Sequence, residues 1–182
     1  KEGGRNLASS FDQELAERIR ERMDIEANLQ HALSNAEFEL AFQPILSVQS
    51  GRIVAAEALL RWHSPTLGTL PPERFLPIAE SMGIMEPIGA WIINEACRWA
   101  AQWPSIDGHL IDLSINISIR QLAQDQLLEL IERALRLHGL PPERLTLDIA
   151  ENVQLTPDSY QGRQLIALRE QGIQIAVDDF GT

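Results

Sequence analysis

The chain has 182 residues, 45% of them hydrophobic, and carries a formal net charge of -11 with a sequence pI near 4.8. Its length and apolar content predict one domain with a sizeable core, or one domain plus an attached helix. The negative charge argues against a nucleic-acid polymer as the main partner, because such partners select basic surfaces. It is compatible with a small nucleotide held through a metal ion, because carboxylates attract the cation.

The single cysteine, Cys97, excludes a disulfide within the chain, which is typical of a reducing compartment. No apolar run approaches the ~20 residues needed to span a bilayer, and no signal peptide opens the sequence. We therefore expect this segment to be cytoplasmic and without membrane contact, although upstream segments could anchor the parent protein in a membrane.

The N-terminal stretch predicts a helix that follows a short polar segment. Residues 1–8 are polar and contain glycine, and Ser10 with Gln13 three residues later is a capping-box signal. Apolar residues then recur with a helical period and change phase halfway along the helix. The pattern favours a connecting helix over residues 11–33, although an ordinary amphipathic helix of the same domain fits the periodicity equally well.

Short strand and helix signals follow in alternation. Strands Phe38–Ile45 and Arg52–Arg61 flank a turn and predict a hairpin, and residues 63–72 predict a loop. The later predicted elements are helix 72–82, helix 86–103, strand 110–117, helix 125–138, strand 144–150, helix 158–171 and strand 173–177. This order predicts an α/β protein with a parallel sheet and helical crossovers. A Rossmann-type open sheet is the alternative, but neither nucleotide-loop motif of such folds occurs.

Oxygen-bearing side chains accompany four of the predicted strands, three of them at the C-terminal end. These side chains are Glu57, Asn116, Glu151 and the adjacent pair Asp178 and Asp179. In a (β/α)₈ barrel, active sites are built at the C-terminal ends of the strands. Carboxylate and amide oxygens are the ligands that hard divalent cations prefer. The pattern predicts one cation site, with Asp179 placed to reach a second ion, as in two-metal phosphodiester hydrolysis.

Simpler interpretations of these residues stay open at this point. An acidic residue at a strand end is commonly a helix cap or a surface charge, Asn116 could cap the following helix, and Asp178-Asp179 could form an ordinary turn. Their recurrence on successive strands favours a shared site. A soft-metal site is not predicted, because the four histidines do not cluster with Cys97 or with each other at ligand spacing.

Five ordered motifs resemble those of the EAL domain family over residues 36–182. They are Phe42-Gln43-Pro44-Ile45, Glu57-Ala58-Leu59-Leu60-Arg61-Trp62, Arg74-Phe75-Leu76-Pro77-Ile78-Ala79-Glu80, Ile115-Asn116-Ile117-Ser118 and Asp178-Asp179-Phe180-Gly181-Thr182. The family counterparts are Y-Q-P-I, E-A-L-L-R-W, E-F-I-P-L-A-E, V-N-V-S and D-D-F-G-T. The resemblance implies a TIM-type (β/α)₈ barrel of the EAL kind with an antiparallel strand near its start, here with about the first five strands.

The resemblance also implies a function. EAL domains hydrolyse cyclic di-GMP to linear pGpG with Mg²⁺ or Mn²⁺, and Ca²⁺ is expected to inhibit. The implied ligands of the first metal are Glu57, Asn116, Glu151 and Asp178; Asp179 is implied for the second metal, and Gln43 and Arg61 for nucleotide contacts. A guanidinium such as that of Arg61 can bind a phosphate through two hydrogen bonds.

One motif departs from the family. Around the third implied ligand, L-E-L-T-E-S is replaced by Leu147-Asp148-Ile149-Ala150-Glu151-Asn152. The ligand Glu151 is kept, but the small hydroxyl residues on each side of it are lost. We expect this loss to alter the hydrogen bonds that orient the ligand.

The two ends of the sequence carry further expectations. Lys1-Glu2-Gly3-Gly4-Arg5-Asn6 resembles the closing K-x-x-G-R-N of a GGDEF domain. We therefore predict a GGDEF-like remnant over residues 1–8, a connecting helix over 9–35 and an incomplete EAL domain over 36–182.

The implied partners are cyclic di-GMP, an upstream GGDEF-like domain and a second copy in a homodimer. The general base is expected downstream of Thr182, so the 182-residue chain alone is predicted to be inactive.

Two other functions are compatible with parts of this sequence. Some EAL domains bind cyclic di-GMP as receptors without hydrolysing it, but these usually lose metal ligands that this sequence retains. A metal-dependent barrel of the enolase kind would not explain why Gln43 and Arg61 stand within their motifs.

Overall fold

A computed structural model describes the backbone of residues 3–106, 108–150 and 156–178, and the side chains of residues 15–106, 108–149 and 156–177. The described elements are α1 (Gly3–Ala32), β1 (Phe38–Leu46), β2 (Ile53–Ser64), β3 (Gly68–Leu70), α2 (Pro72–Ser81), α3 (Met85–Ala100), β4 (Asp112–Asn116), α4 (Ile119–Leu122), α5 (Leu127–His138), a 3₁₀ turn (Pro142–Arg144), β5 (Leu145–Ala150), α6 (Tyr160–Glu170) and β6 (Gln174–Asp178). Within these residues, no helix has the length and apolar character needed to cross a membrane.

The chain forms two compact units. One contains Lys1–Glu39 and Arg61–Met85, and the other contains Leu40–Leu60 and Glu86–Thr182. Two sequence predictions are wrong in the first unit. α1 begins at Gly3 rather than at Ser10, because no proline interrupts helical hydrogen bonding upstream of the capping signal. The loop predicted over 63–72 contains β3, which pairs antiparallel with the end of β2.

The core of the first unit is built around an aromatic cluster. Trp62 is fully buried, and its ring lies edge-on to that of Phe75 with centroids 5.4 Å apart. The indole N–H of Trp62 donates to a carboxylate oxygen of Glu37 at 2.9 Å. Ile25 and Leu29 of α1 are buried in the same unit. The hydrogen bond satisfies the only polar atom that the buried Trp62 side chain carries.

The second unit contains a mixed sheet in the order β1-β2-β4-β5-β6. The neighbours β2 and β4, β4 and β5, and β5 and β6 run parallel, with helices on the crossovers as the sequence predicted. β1 and β2 are adjacent and joined by a tight turn, closed by the Ser47 N–H donating to Arg52 O at 2.8 Å. Gly51 supplies the positive φ of +67° in this turn. The predicted hairpin is therefore present.

The two faces of this sheet differ in chemistry. Leu113, Ile115 and Leu147 point to one face and are at most 1% exposed. Side chains alternate between faces along a strand, so the residues between them point to the other face. α5 buries its own apolar stripe, which includes Ile131 and Leu135, and Gly139 ends this helix in the left-handed conformation with φ of +67°. The polar side chains between the buried ones are therefore collected on the opposite face.

The Arg144 side chain, directly before β5, contacts the end of α3 and the start of β4. Its side chain is 11% exposed, and its Nη2 donates to Ile111 O at 2.5 Å and to Ala100 O at 3.3 Å. The Asp112 carboxylate lies 3.9 Å from Arg144 Nε. Burial raises the pKa of Asp112, and the nearby Arg144 charge opposes this rise. These contacts hold β4 and β5 in the register that positions the residues at their opposite ends.

Candidate functional site

Glu57 and Asn116 meet on the polar face of the sheet. Asn116 Nδ2 donates to Glu57 Oε1 at 2.6 Å. Glu57 stands in register with Ser114, so Asn116 lies two residues further along the neighbouring parallel strand and on the same face. Because the Asn116 amide nitrogen is used as the donor, its carbonyl oxygen is the atom suited to bind a cation.

The turn after β4 is fixed by a capping box. Ser118 is the N-cap of α4, its hydroxyl accepts from the Gln121 N–H, and Gln121 Oε1 accepts from the Ser118 N–H at 2.9 Å. The alternative in which Asn116 itself caps the following helix is therefore wrong. The cap is supplied two residues later, which leaves the Asn116 side chain for the contact with Glu57.

Gly89 makes room for the side chain that forms this cap. Gln121 is 7% exposed, and a Cβ placed on Gly89 of α3 would lie 2.4 Å from Gln121 Nε2. The Gln121 side chain also accepts from the Ser118 N–H and hydroxyl, so it moves only by breaking those hydrogen bonds. The close approach of α3 thus supports the turn that follows Asn116.

We predict that Gly89→Ala destabilises the protein by about 1–2 kcal/mol through overpacking, although alanine is the better helix former by about 1 kcal/mol. Chemical denaturation measures this change. In a Gln121→Ala background the clash is absent, so the same substitution should become neutral or stabilising. An equal loss in both backgrounds would show that the Gly89–Gln121 approach is not the cause.

Sequence reasoning did not single out a second polar pair on this face. The hydroxyl of Ser114, which is 2% exposed, donates to Asp148 Oδ2. Asp148 is in register with Asn116 on the neighbouring strand. The sequence pattern that could have indicated Asp148 is the alternation of apolar and polar residues along the strand. Asp148 stands between Leu147 and Ile149, which are both buried.

The other expected site residues are placed as follows. Asp178 ends β6, and its backbone is in register with Ala150. Glu151, Asp179 and the side chain of Asp178 lie outside the described residues. In the second unit, Gln43 is an exposed residue of β1. In the first unit, Arg61 is a half-exposed residue of β2.

The donor set that is described fits a hard cation. Glu57 and Asn116 offer a carboxylate and an amide oxygen, the ligand types that Mg²⁺ and Mn²⁺ take. In the described ranges, no three His, Cys, Asp or Glu side chains come together closely enough to hold a metal. A complete coordination shell therefore needs ligands beyond this pair, and the residues expected to supply them include Glu151 and Asp178.

Comparisons with known proteins all point to one family. A model of the family described as "EAL domain" matches residues 26–182. The chain is 36% identical over 182 residues to the oxygen sensor protein DosP of Escherichia coli (strain K12). The matched region covers 100% of this chain and 23% of DosP. It is 33% identical over 184 residues to the bifunctional diguanylate cyclase/cyclic di-GMP phosphodiesterase MucR of Pseudomonas aeruginosa, covering 100% of this chain and 27% of MucR. The chain thus spans about a quarter of these relatives.

Solved structures confirm the fold class. The PaMucR phosphodiesterase in complex with c-di-GMP matches with a TM-score of 0.80 at 34% identity, covering 87% of this chain and 64% of that one. The FimX EAL domain from Pseudomonas aeruginosa bound to c-di-GMP matches with a TM-score of 0.73 at 33% identity, covering 87% and 63%. These neighbours are TIM-type barrels, and the open mixed sheet described here is part of such a barrel. The chain therefore belongs to the EAL domain family.

Proposed function

We propose that the complete domain is a cyclic di-GMP phosphodiesterase that hydrolyses cyclic di-GMP to linear pGpG. The observation that carries this proposal is the contact of Glu57 with Asn116 on the polar face of the sheet, in a chain of the EAL family. One relative supports it by its described activity, because MucR is a cyclic di-GMP phosphodiesterase and its structure holds c-di-GMP.

In this proposal, the residues divide between cation and nucleotide. Glu57 and Asn116, with Glu151 and Asp178, hold a first Mg²⁺ or Mn²⁺, and Asp179 holds a second. Bound there, the cations would supply an activated water and charge neutralisation at the phosphate. Gln43 and Arg61 bind the nucleotide, and the two parallel N–H donors of the Arg61 guanidinium suit a phosphate.

Nucleotide turnover tests the proposal. The complete domain is incubated with cyclic di-GMP and Mg²⁺ or Mn²⁺, and the products are separated by chromatography. We expect linear pGpG with either ion, none after chelation, and inhibition by added Ca²⁺. No pGpG with either ion, under conditions where the nucleotide binds, would show that the domain is not a phosphodiesterase.

The second candidate is a receptor that binds cyclic di-GMP without cleaving it. The FimX EAL domain gives this candidate some support. It is 33% identical to this chain, and its structure holds bound c-di-GMP. Retention of the acidic residue Glu57 and its partner Asn116 favours the enzyme, because a receptor needs no ligands for a catalytic cation. Binding without turnover in the assay above would select the receptor.

We further propose the cellular setting predicted from the sequence: a cytoplasmic segment that follows a GGDEF-like domain and forms a homodimer. The description of MucR as both diguanylate cyclase and phosphodiesterase supports the upstream domain, since that protein matches the whole of this chain. Size-exclusion chromatography with light scattering tests the dimer. A monomer at micromolar concentration would contradict it.

Residues 1–182 on their own are predicted to be catalytically silent and to self-associate. The general base is expected downstream of Thr182, and loss of such a base costs ~10²–10⁴ in rate. β6 ends the described sheet order, and its Val177 is 55% exposed, so this edge can pair with another chain. Turnover assays and light scattering on this segment measure both properties. A monomeric, active segment would refute the prediction.

A further inference from the structure

Three polar side chains of the first unit form a row across its strands, and no role has yet been given to them. They are Glu39 of β1, His63 of β2 and Thr69 of β3. His63 and Thr69 stand directly opposite each other in the antiparallel pairing of β2 and β3. The His63 N–H donates to Glu37 O at 2.8 Å, which places the start of β1 on the other side of His63.

This row fixes the imidazole ring of His63 by both of its nitrogen atoms. Nε2 lies 2.9 Å from Glu39 Oε2, and Nδ1 lies 2.9 Å from Thr69 Oγ1. The Thr69 hydroxyl can donate to Nδ1 or accept from it, so both contacts are compatible with the neutral and the protonated ring. A ring held at two edges has already lost its rotational freedom before a ligand arrives, which lowers the entropic cost of binding.

The ring remains open to solvent although its nitrogen atoms are used. The His63 side chain is 46% exposed. Hydrogen bonds to an imidazole nitrogen lie near the ring plane, so the area left for a ligand belongs mainly to the ring faces and carbon atoms. A ligand that uses this area must stack on the ring, and nucleic-acid bases stack on aromatic side chains that include His.

His63 shares a face of β2 with the residue proposed to bind phosphate. Trp62 and Ser64 are 0% and 4% exposed and point to the core of the unit. Because side chains alternate along a strand, Arg61 and His63 point to the other face, with Cα atoms about 7 Å apart. Within a nucleotide, the base lies a similar distance from the phosphate. His63 therefore lies within reach of a base whose phosphate contacts Arg61.

We propose that the His63 ring, held by Glu39 and Thr69, is a platform on which one guanine base of cyclic di-GMP stacks. This inference rests on the proposed function, because it assumes that Arg61 contacts a phosphate of the nucleotide. It applies to the enzyme and to the receptor alike, because both must bind the nucleotide before any chemistry.

Calorimetric titration of the complete domain with cyclic di-GMP, in Ca²⁺ to suppress hydrolysis, measures the contribution of the ring. His63→Asn removes the ring, and we expect the Kd to rise by about 10-fold or more, the scale of one lost base–aromatic stack. His63→Phe keeps an aromatic face but lacks both orienting hydrogen bonds, so its Kd should rise by at most about 5-fold. Thr69→Val frees one edge of the ring and should raise the Kd by about 3-fold.

His31→Asn is the matched control, because His31 is an exposed histidine of the same unit, in the last turn of α1. Its Kd should equal that of the wild type. Proton NMR of the wild-type domain gives a second measurement. The ring current of a stacked guanine should move the Cε1 proton of His63 upfield on binding, a shift that a purely structural role of His63 would not produce.

The outcomes separate this inference from the proposed function. An unchanged Kd in His63→Asn, an equal loss in His63→Phe, or an equal rise in His31→Asn would overturn the inference and leave the proposed function standing. If His63→Asn does not fold, the lack of an upfield shift in the wild type overturns it instead. A wild-type domain that binds no cyclic di-GMP would refute the proposed function, and this inference with it.

Discussion

Substitution of Glu57 by Gln is expected to abolish hydrolysis of cyclic di-GMP while the fold survives. The Gln amide oxygen still accepts from Asn116 Nδ2, so the contact seen at 2.6 Å can persist. In the proposed site the cation would lose a charged ligand, and its affinity should fall by more than the ~10–100-fold caused by the loss of groups behind the ligands. Glu57 and Asp148 lie on the same face of the sheet and like charges repel, so removal of one charge should not destabilise the metal-free state. Melting without metal should therefore be unchanged or raised.

Three measurements separate chemistry from folding in this variant: pGpG production, Mn²⁺ affinity and thermal melting without metal. Glu170→Gln is the control, because it removes one charge from an exposed residue at the end of α6. It should behave as the wild type in all three. A large drop in the melting temperature of Glu57→Gln would show that Glu57 is a structural residue. Full turnover in this variant would show that Glu57 does not bind the catalytic cation.

Trp62→Ala is expected to cause the largest loss of stability, about 3–5 kcal/mol. Trp62 is fully buried against Phe75, and its truncation leaves a cavity and removes the hydrogen bond to Glu37. Since natural domains are stable by about 5–15 kcal/mol, this substitution removes a large share of the total. Chemical denaturation of the complete domain measures the free energy of unfolding.

The matched control is Trp99→Ala. Trp99 is 43% exposed, and its indole N–H donates to Glu95 at 2.9 Å at the protein surface. Its loss should cost no more than about 1.5 kcal/mol, because a surface hydrogen bond contributes little and no enclosed cavity forms. If the two tryptophan variants lose equal stability, the aromatic cluster around Trp62 is not the main core of its unit.

Much of the fold could be predicted from the sequence because its local signals for helix ends and strands agree with the elements that form. Gly139 and the period of α5 predicted a helix end that the structure has at the same residue. The strand predicted over residues 110–117 is present as Asp112–Asn116, and it delivers Asn116 at its end as predicted. The predicted element boundaries were less accurate. α3 was predicted to end at residue 103 but ends at Ala100, because turn hydrogen bonds replace helical ones between Ala100 and Pro104.

The elements that sequence reasoning missed depend on contacts between distant residues. β3 is three residues long, and its strand character comes from pairing with the end of β2 rather than from its own composition. α4 is a single turn stabilised by the Ser118–Gln121 cap. The Ser114–Asp148 pair needs the register of two strands, which depends on the packing of the whole sheet. Local periodicity contains none of this information.

The most direct test of cation binding by Glu57 and Asn116 is a crystal structure of the complete domain with cyclic di-GMP and Mn²⁺, measured with anomalous scattering. We expect an anomalous peak within about 2.5 Å of a carboxylate oxygen of Glu57 and of the amide oxygen of Asn116. We also expect a phosphate of the nucleotide to contact the same ion. Bound cyclic di-GMP without a peak between Glu57 and Asn116 would contradict the central claim that this pair binds the catalytic cation.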